Sequence, residues 1–169
     1  FTGTPCADGD QDGLADAWED VVIDRFRPLL RLDEQESLVS DAAAVVANVA
    51  RVAVIAKAPL HVRVFLMIGY SKDYGSCGFT SHNGDSERVA VDLVATPGGG
   101  PGDVSQVGAY AAAHESTAND HSRKFTGADL ALLVRANDPE TGEPRWVVFP
   151  SQDKHGTYAT IDICENISV

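Results

Sequence analysis

The sequence predicts a mainly β fold with peripheral helices: an antiparallel β-sandwich preceded by an acidic, glycine-containing loop and one helix. Three observations predict it. Beyond residue 60, short apolar runs with period-two alternation follow one another. Turn-forming clusters separate most of these runs, so the regular strand–helix alternation of a doubly wound sheet is missing. Ahead of them, Leu14, Trp18, Val21, Val22 and Phe26 fall on one face of a single helix. With 169 residues, one domain is expected, residues 1–27 forming the loop and helix and residues 28–169 the sandwich. A chain of this length buries about two-thirds of its unfolded surface. No internal repeat is present.

The first element is Asp8-Gly9-Asp10-Gln11-Asp12-Gly13-Leu14-Ala15-Asp16-Ala17-Trp18-Glu19. Oxygen-bearing side chains stand at loop positions one, three, five and nine, glycine at six and glutamate at twelve. That is the side-chain pattern of an EF-hand calcium loop. Ca²⁺ takes roughly six to eight oxygens. The expected ligands are the carboxylates of Asp8, Asp10, Asp12, Asp16 and Glu19 and the Leu14 carbonyl, with Gly13 permitting the bend. Pro5 and the short stretch before the loop leave no entering helix. This half EF-hand is expected to pin the N-terminus rather than to signal, since a sensor needs two helices to swing.

The helix is expected over Leu14 to Phe26, ended by Pro28. Ser37 to Ala56 is rich in alanine and valine: Ser40 is a candidate cap for a short helix from Asp41, and Val49 to Ile55 reads equally as helix or buried strand. His61 to Tyr70 is a strand. Glu87 to Thr96 alternates Val89, Val91 and Leu93 with Arg88, Ala90 and Asp92, as a half-buried strand does. Pro97 to Gly102 is a surface loop, not a phosphate cradle, because no Gly-Lys-Ser/Thr follows. Val104 to Ala113 and Arg145 to Pro150 are further strands, and Gly127 to Val134 a short helix.

Apolar content of 44% and charged content of 22% are ordinary for a globular chain. A net charge of −12 argues against nucleic acid as a partner. No apolar run is long enough to span a membrane. The chain begins at Phe1, read here as a processed mature form; with the calcium loop this predicts a secreted, extracellular, monomeric protein. Cys6, Cys77 and Cys164 are too few for a disulfide scaffold. One disulfide and one spare thiol is the simplest arrangement. Spacing does not fix the pair; Cys77–Cys164 is favoured because both lie close to the second candidate site.

That second site lies between two strands, in Ser71 to Glu87. Asp85 and Glu87 are two apart, so on a strand both carboxylates project from one face, roughly 7 Å apart. His82 precedes them, and Asp73 arrives from across the hairpin. Three carboxylates and an imidazole on one face repel unless a cation sits among them. An oxygen-rich set with one nitrogen suits Mg²⁺, Ca²⁺ or Mn²⁺ better than Zn²⁺. The bland alternative is a polar hairpin, with Glu87 paired to Arg88 or another surface base.

Gly69-Tyr70-Ser71-Lys72-Asp73 followed by Ser81-His82-Asn83-Gly84-Asp85-Ser86-Glu87-Arg88-Val89 resembles the central motif of the necrosis- and ethylene-inducing-peptide-like proteins. It is similar also to the His-x-Gly-Asp-Trp-Glu motif of a related vacuolar-sorting-associated family. Arg27 to Ser37 resembles that family's early strand, with its proline and glutamate. Phe149 to Tyr158 resembles its late Ser-x-x-Lys-His-x-x-Tyr motif, which a cysteine follows, here Cys164. The likeness covers residues 27 to 164 in patches. It implies a β-sandwich in which Asp73, His82, Asp85 and Glu87 hold a divalent cation in a surface cavity, with His155 nearby as a supporting or substrate-contacting group. Ser86 stands where the motif has tryptophan, and Gly84 where the toxins have a second histidine, so cytolytic activity transfers less well than the metal site.

The expected function is cation-dependent binding, toxin-like in kind, to a lipid head group, glycan or other small-molecule ligand. The alternative is a metal-assisted hydrolase of phosphoester or ester bonds in the same cavity, with His155 or His114 as general base. His114 and His121, flanking Glu115 and Asp120, are candidates for the cavity rim. A calcium-stapled structural domain is the third possibility. Gly84-Asp85-Ser86 does not make a serine esterase: it precedes a strand, no Gly-x-Ser-x-Gly elbow exists, and Asp153-Lys154-His155 has the wrong spacing.

Overall fold

The computed structural model describes residues 7–75, 81–96, 98–100, 103–118 and 120–161. The three cysteines, and with them the Cys77–Cys164 pairing, lie outside the described residues. The elements run α1 (Asp16–Phe26), β1 (Leu29–Leu30), α2 (Ser37–Ser40), β2 (Val46–Lys57), β3 (Leu60–Asp73), β4 (His82–Ala95), β5 (Val104–Ala111), β6 (Arg123–Thr126), a 3₁₀ turn over Gly127–Leu132, β7 (Arg135–Asn137), β8 (Pro144–Pro150) and β9 (Thr157–Tyr158). The fold is mainly β, with antiparallel pairing throughout the larger sheet and few helices.

β2 to β6 form a five-stranded antiparallel meander in chain order. Its inner face follows from the period-two pattern: Val62, Val64, Leu66, Ile68 and Tyr70 on β3 are buried, as are Val89, Val91 and Leu93 on β4. The second sheet centres on β8, which pairs with β7, β9 and, in parallel, β1. Trp146 and Val148 on β8 share one hydrophobic core with the inner face of the meander, closed by Val22 of α1 and Leu38 of α2. α1 packs against β2, β3 and β8 and so touches both sheets. No helix among the described residues is long and apolar enough to cross a membrane.

Several boundaries move. α1 starts at Asp16, not Leu14, because Leu14 belongs to the bends of the loop and Ala15 is extended. The helix expected from Asp41 is instead one turn over Ser37–Ser40, begun by the Glu36 side chain accepting from the Leu38 N–H. Val49 to Ile55 is strand, inside β2. β4 begins five residues earlier than Glu87, at His82. The histidine-rich segment after His114 ends in a strand, β6.

Candidate metal centres

The N-terminal loop is built by its own aspartates. Asp8 accepts from the N–H groups of Asp12 (3.2 Å) and Gly13 (3.1 Å), Asp12 from Leu14 (2.9 Å), and Asp16 from Gly9 (2.8 Å). These side-chain-to-backbone turns are the local structures aspartate favours. Gly13 supplies a φ of 98°, which a side chain would strain. Carboxylate oxygens of Asp8, Asp10 and Asp12 lie within 4.8 Å of one another, the one such group among the described residues. Asp12 Oδ2 is buried there without a hydrogen-bond partner, a position that asks for a cation. Glu19, buried on the first turns of α1, is pushed up to about 7 by burial and then by Asp12, Asp10, Asp16 and Asp8. Donor chemistry and the orphaned oxygen both fit Ca²⁺.

At the far end of the β3–β4 hairpin the register sets Asp73 opposite His82 and Tyr70 opposite Asp85. The four predicted ligands divide into two groups. Asp73 Oδ2 meets His82 Nε2 at 3.4 Å and Lys154 Nζ at 3.2 Å, while Oδ1 accepts from the Gly75 N–H. Asp85 turns the other way, its Oδ2 3.6 Å from His155 Nδ1. Glu87 follows on the same face of β4, both carboxylates part-exposed. No three of the four bring ligand atoms as close as the N-terminal aspartates do. The physical reason is local: each carboxylate takes the nearest protein cation, Lys154 for Asp73 and His155 for Asp85.

His155 is fully enclosed, its ring stacked on Tyr70 with centroids 4.1 Å apart and planes 9° from parallel. Nε2 lies 3.5 Å from Glu36 Oε1, so carboxylates flank both ring nitrogens. These distances are ion-pair contacts rather than hydrogen bonds. Burial pulls the imidazole pKa down, but Asp85 and Glu36 overcome it and hold it up at about 9. Burial likewise works to raise Glu36 and Asp85, yet His155 and backbone N–H groups keep both below the usual carboxylate range. Glu87 lacks such a partner: burial first, then Asp85, pushes it up to about 8.

The loop carrying His155 is wound tightly. Ser151 N–H donates to the Gly156 carbonyl and His155 N–H to that of Ser151, and Asp153 and His155 adopt φ of 60° and 57°. Glu36 clamps the loop from outside by accepting from the Asp153 N–H. His114 does border this region: a side chain on Gly156 would come within 2.9 Å of its Nε2. His121 stands further along that loop, its backbone N–H bonded to Ala113.

Glu36, Tyr70 and Lys154 had been given no role in the sequence reading. Their contacts with His155 and Asp73 are long-range, so spacing carries no trace of them. His155 itself is enclosed, with a carboxylate beside each ring nitrogen. No protein-family model, curated protein or solved structure matches this chain.

Proposed function

We propose that this is a secreted, divalent-cation-dependent binding protein, toxin-like in kind, that recognises a polar head group or glycan. The observation carrying this reading is the placement of Asp85 and Glu87 side by side, half-buried, at one end of the larger sheet, with Asp73 across the hairpin. Two neighbouring carboxylates in such a place repel, and a divalent cation relieves the repulsion where a proton otherwise must. Asp85, Glu87 and a reoriented Asp73 and His82 are the residues to hold that ion. Oxygen donors with one imidazole favour Ca²⁺, Mg²⁺ or Mn²⁺. The bound ion supplies a positive centre for a phosphate or vicinal hydroxyl pair. His155 keeps Asp85 ionised and fixed in place. In this reading the N-terminal calcium loop is a staple. The likeness of Ser81 to Arg88 to the necrosis-inducing motif supports the same assignment.

The test is vesicle and glycan-array binding in Ca²⁺, Mg²⁺, Mn²⁺ or EDTA, using phosphatidylcholine and phosphatidylglycerol vesicles. Binding that needs a cation and disappears in Glu87→Gln and Asp85→Asn is the expected result. Binding indifferent to EDTA and to both substitutions overturns the proposal. Glu87→Gln is expected to remain folded, because it deletes a charge that already resists ionising.

A further inference from the structure

The outer face of the meander carries a concavity of about 270 Å³, lined by residues of β3 to β6 and by Glu115 of the β5–β6 loop. The register builds it. One row across the sheet reads Arg51, Phe65, Ala90, Tyr110, Lys124; the next places Arg63 beside Asp92 and Asp92 beside Gly108. Ala90 is the small floor between two rings that stand two strands apart, roughly 10 Å. Phe65 is 42% exposed, and the Arg63 guanidinium stands 5.6 Å from its ring centroid.

The polar rim is organised. Arg63 grips the buried Asp92 through two hydrogen bonds, 2.5 and 2.9 Å. Gly108 makes room for that carboxylate, since a Cβ there would lie 2.9 Å from Asp92 Oδ2. At the other end Arg88 pairs with Glu115. Lys124 is the third cation of the rim, and no carboxylate among the described residues lies within ion-pair distance of it. Three cations thus face two carboxylates, a local positive surplus on a chain of net charge −12.

We propose that this cleft binds a single carboxylated saccharide ring, of the uronic-acid class, independently of the cation site. A pyranose stands edge-on over Ala90 with its two C–H faces against Phe65 and Tyr110. Its hydroxyls both donate and accept, matching a rim of neutralised Arg–carboxylate pairs that offers both roles. A compact polyanion such as phosphate is disfavoured because each arginine is already neutralised. A purely apolar ring is disfavoured by charged groups at both ends. Lys124 meets the sugar carboxylate. The volume, just below that of drug-sized pockets, suits one ring.

The experiment titrates ¹⁵N-labelled protein with methyl β-glucuronide, methyl β-glucoside and inorganic phosphate. Saturable shifts of the Ala90, Gly108 and Tyr110 amides are expected with glucuronide, and about tenfold weaker binding with glucoside. Lys124→Gln, on an exposed strand position, is expected to bring glucuronide down to the glucoside level; Phe65→Ala weakens both sugars. Glu87→Gln leaves the response unchanged, which separates this site from the cation site. The proposal is overturned by absence of saturable shifts, by equal affinity for phosphate, by an unaltered Lys124→Gln response, or by loss of binding in Glu87→Gln.

Discussion

With His155 removed, Glu36 and Asp85 keep their burial and lose the cation they share. Breaking a buried ion pair from one side costs about 3–5 kcal/mol. His155→Ala is expected to lose stability on that scale in urea titration, and Tyr70→Ala, which empties a ring position of the core, by a similar amount. The same groups set the pH profile. Glu87 is raised, so from about 5 to 8 the folded chain keeps a proton that the unfolded chain releases, and stability falls as pH rises. The His155 contribution is complete below the ordinary histidine pKa and is lost as pH climbs through about 9. Glu36 and Asp85, both lowered, stabilise above their ordinary range and cease to do so in acid. Urea midpoints in EDTA across this range are therefore expected to decline on the alkaline side, and Glu87→Gln to flatten the decline between about 5 and 8. Glu19→Gln provides the counterpart at the other site. It removes a carboxylate crowded by four aspartates, so the metal-free midpoint rises while the calcium-induced shift shrinks.

Among the elements, β3 and β4 were legible because one face of each is buried, and a half-buried strand writes its geometry into alternation. β2 was ambiguous for the opposite reason. It is an edge strand whose pattern of small and apolar residues is mostly exposed, so burial does not pick out either period. The start of β4 read as a turn because Gly84, at φ 76°, breaks the alternation without ending the pairing with β3. β6 spans only four residues, too few to show a period. The grouping of Asp8, Asp10 and Asp12 was readable, since all three lie within one short stretch of chain. The hairpin site was half readable: Asp85 and Glu87 share a strand face, while Glu36 reaches His155 only through the tertiary fold. The tight turn at Ser151–Gly156 yields a prediction of its own. Gly156→Ala forces His114 off the loop and is expected to lower the thermal midpoint, whereas Gly142→Ala, with nothing near it, is limited to the backbone cost of its positive φ.

At the scale of the whole molecule, α1 touches both sheets and starts from the acidic N-terminal loop. A metal held only by the folded chain stabilises by mass action, about 2.7 kcal/mol at a hundredfold excess over Kd. Chelation is therefore expected to lower the thermal midpoint, followed through the fluorescence of Trp18 on α1 and the buried Trp146 on β8. An unchanged midpoint in saturating EDTA would show that neither candidate centre holds an ion in the native state. The parallel pairing of β1 with β8 has a temporal side. Leu29 and Leu30 pair with Val147 and Val148, so β1 has no seat until β8 has been synthesised. Such distant closure slows the search for the native topology. The meander is free to assemble first from neighbouring hairpins, leaving β1 to dock as a late event in folding.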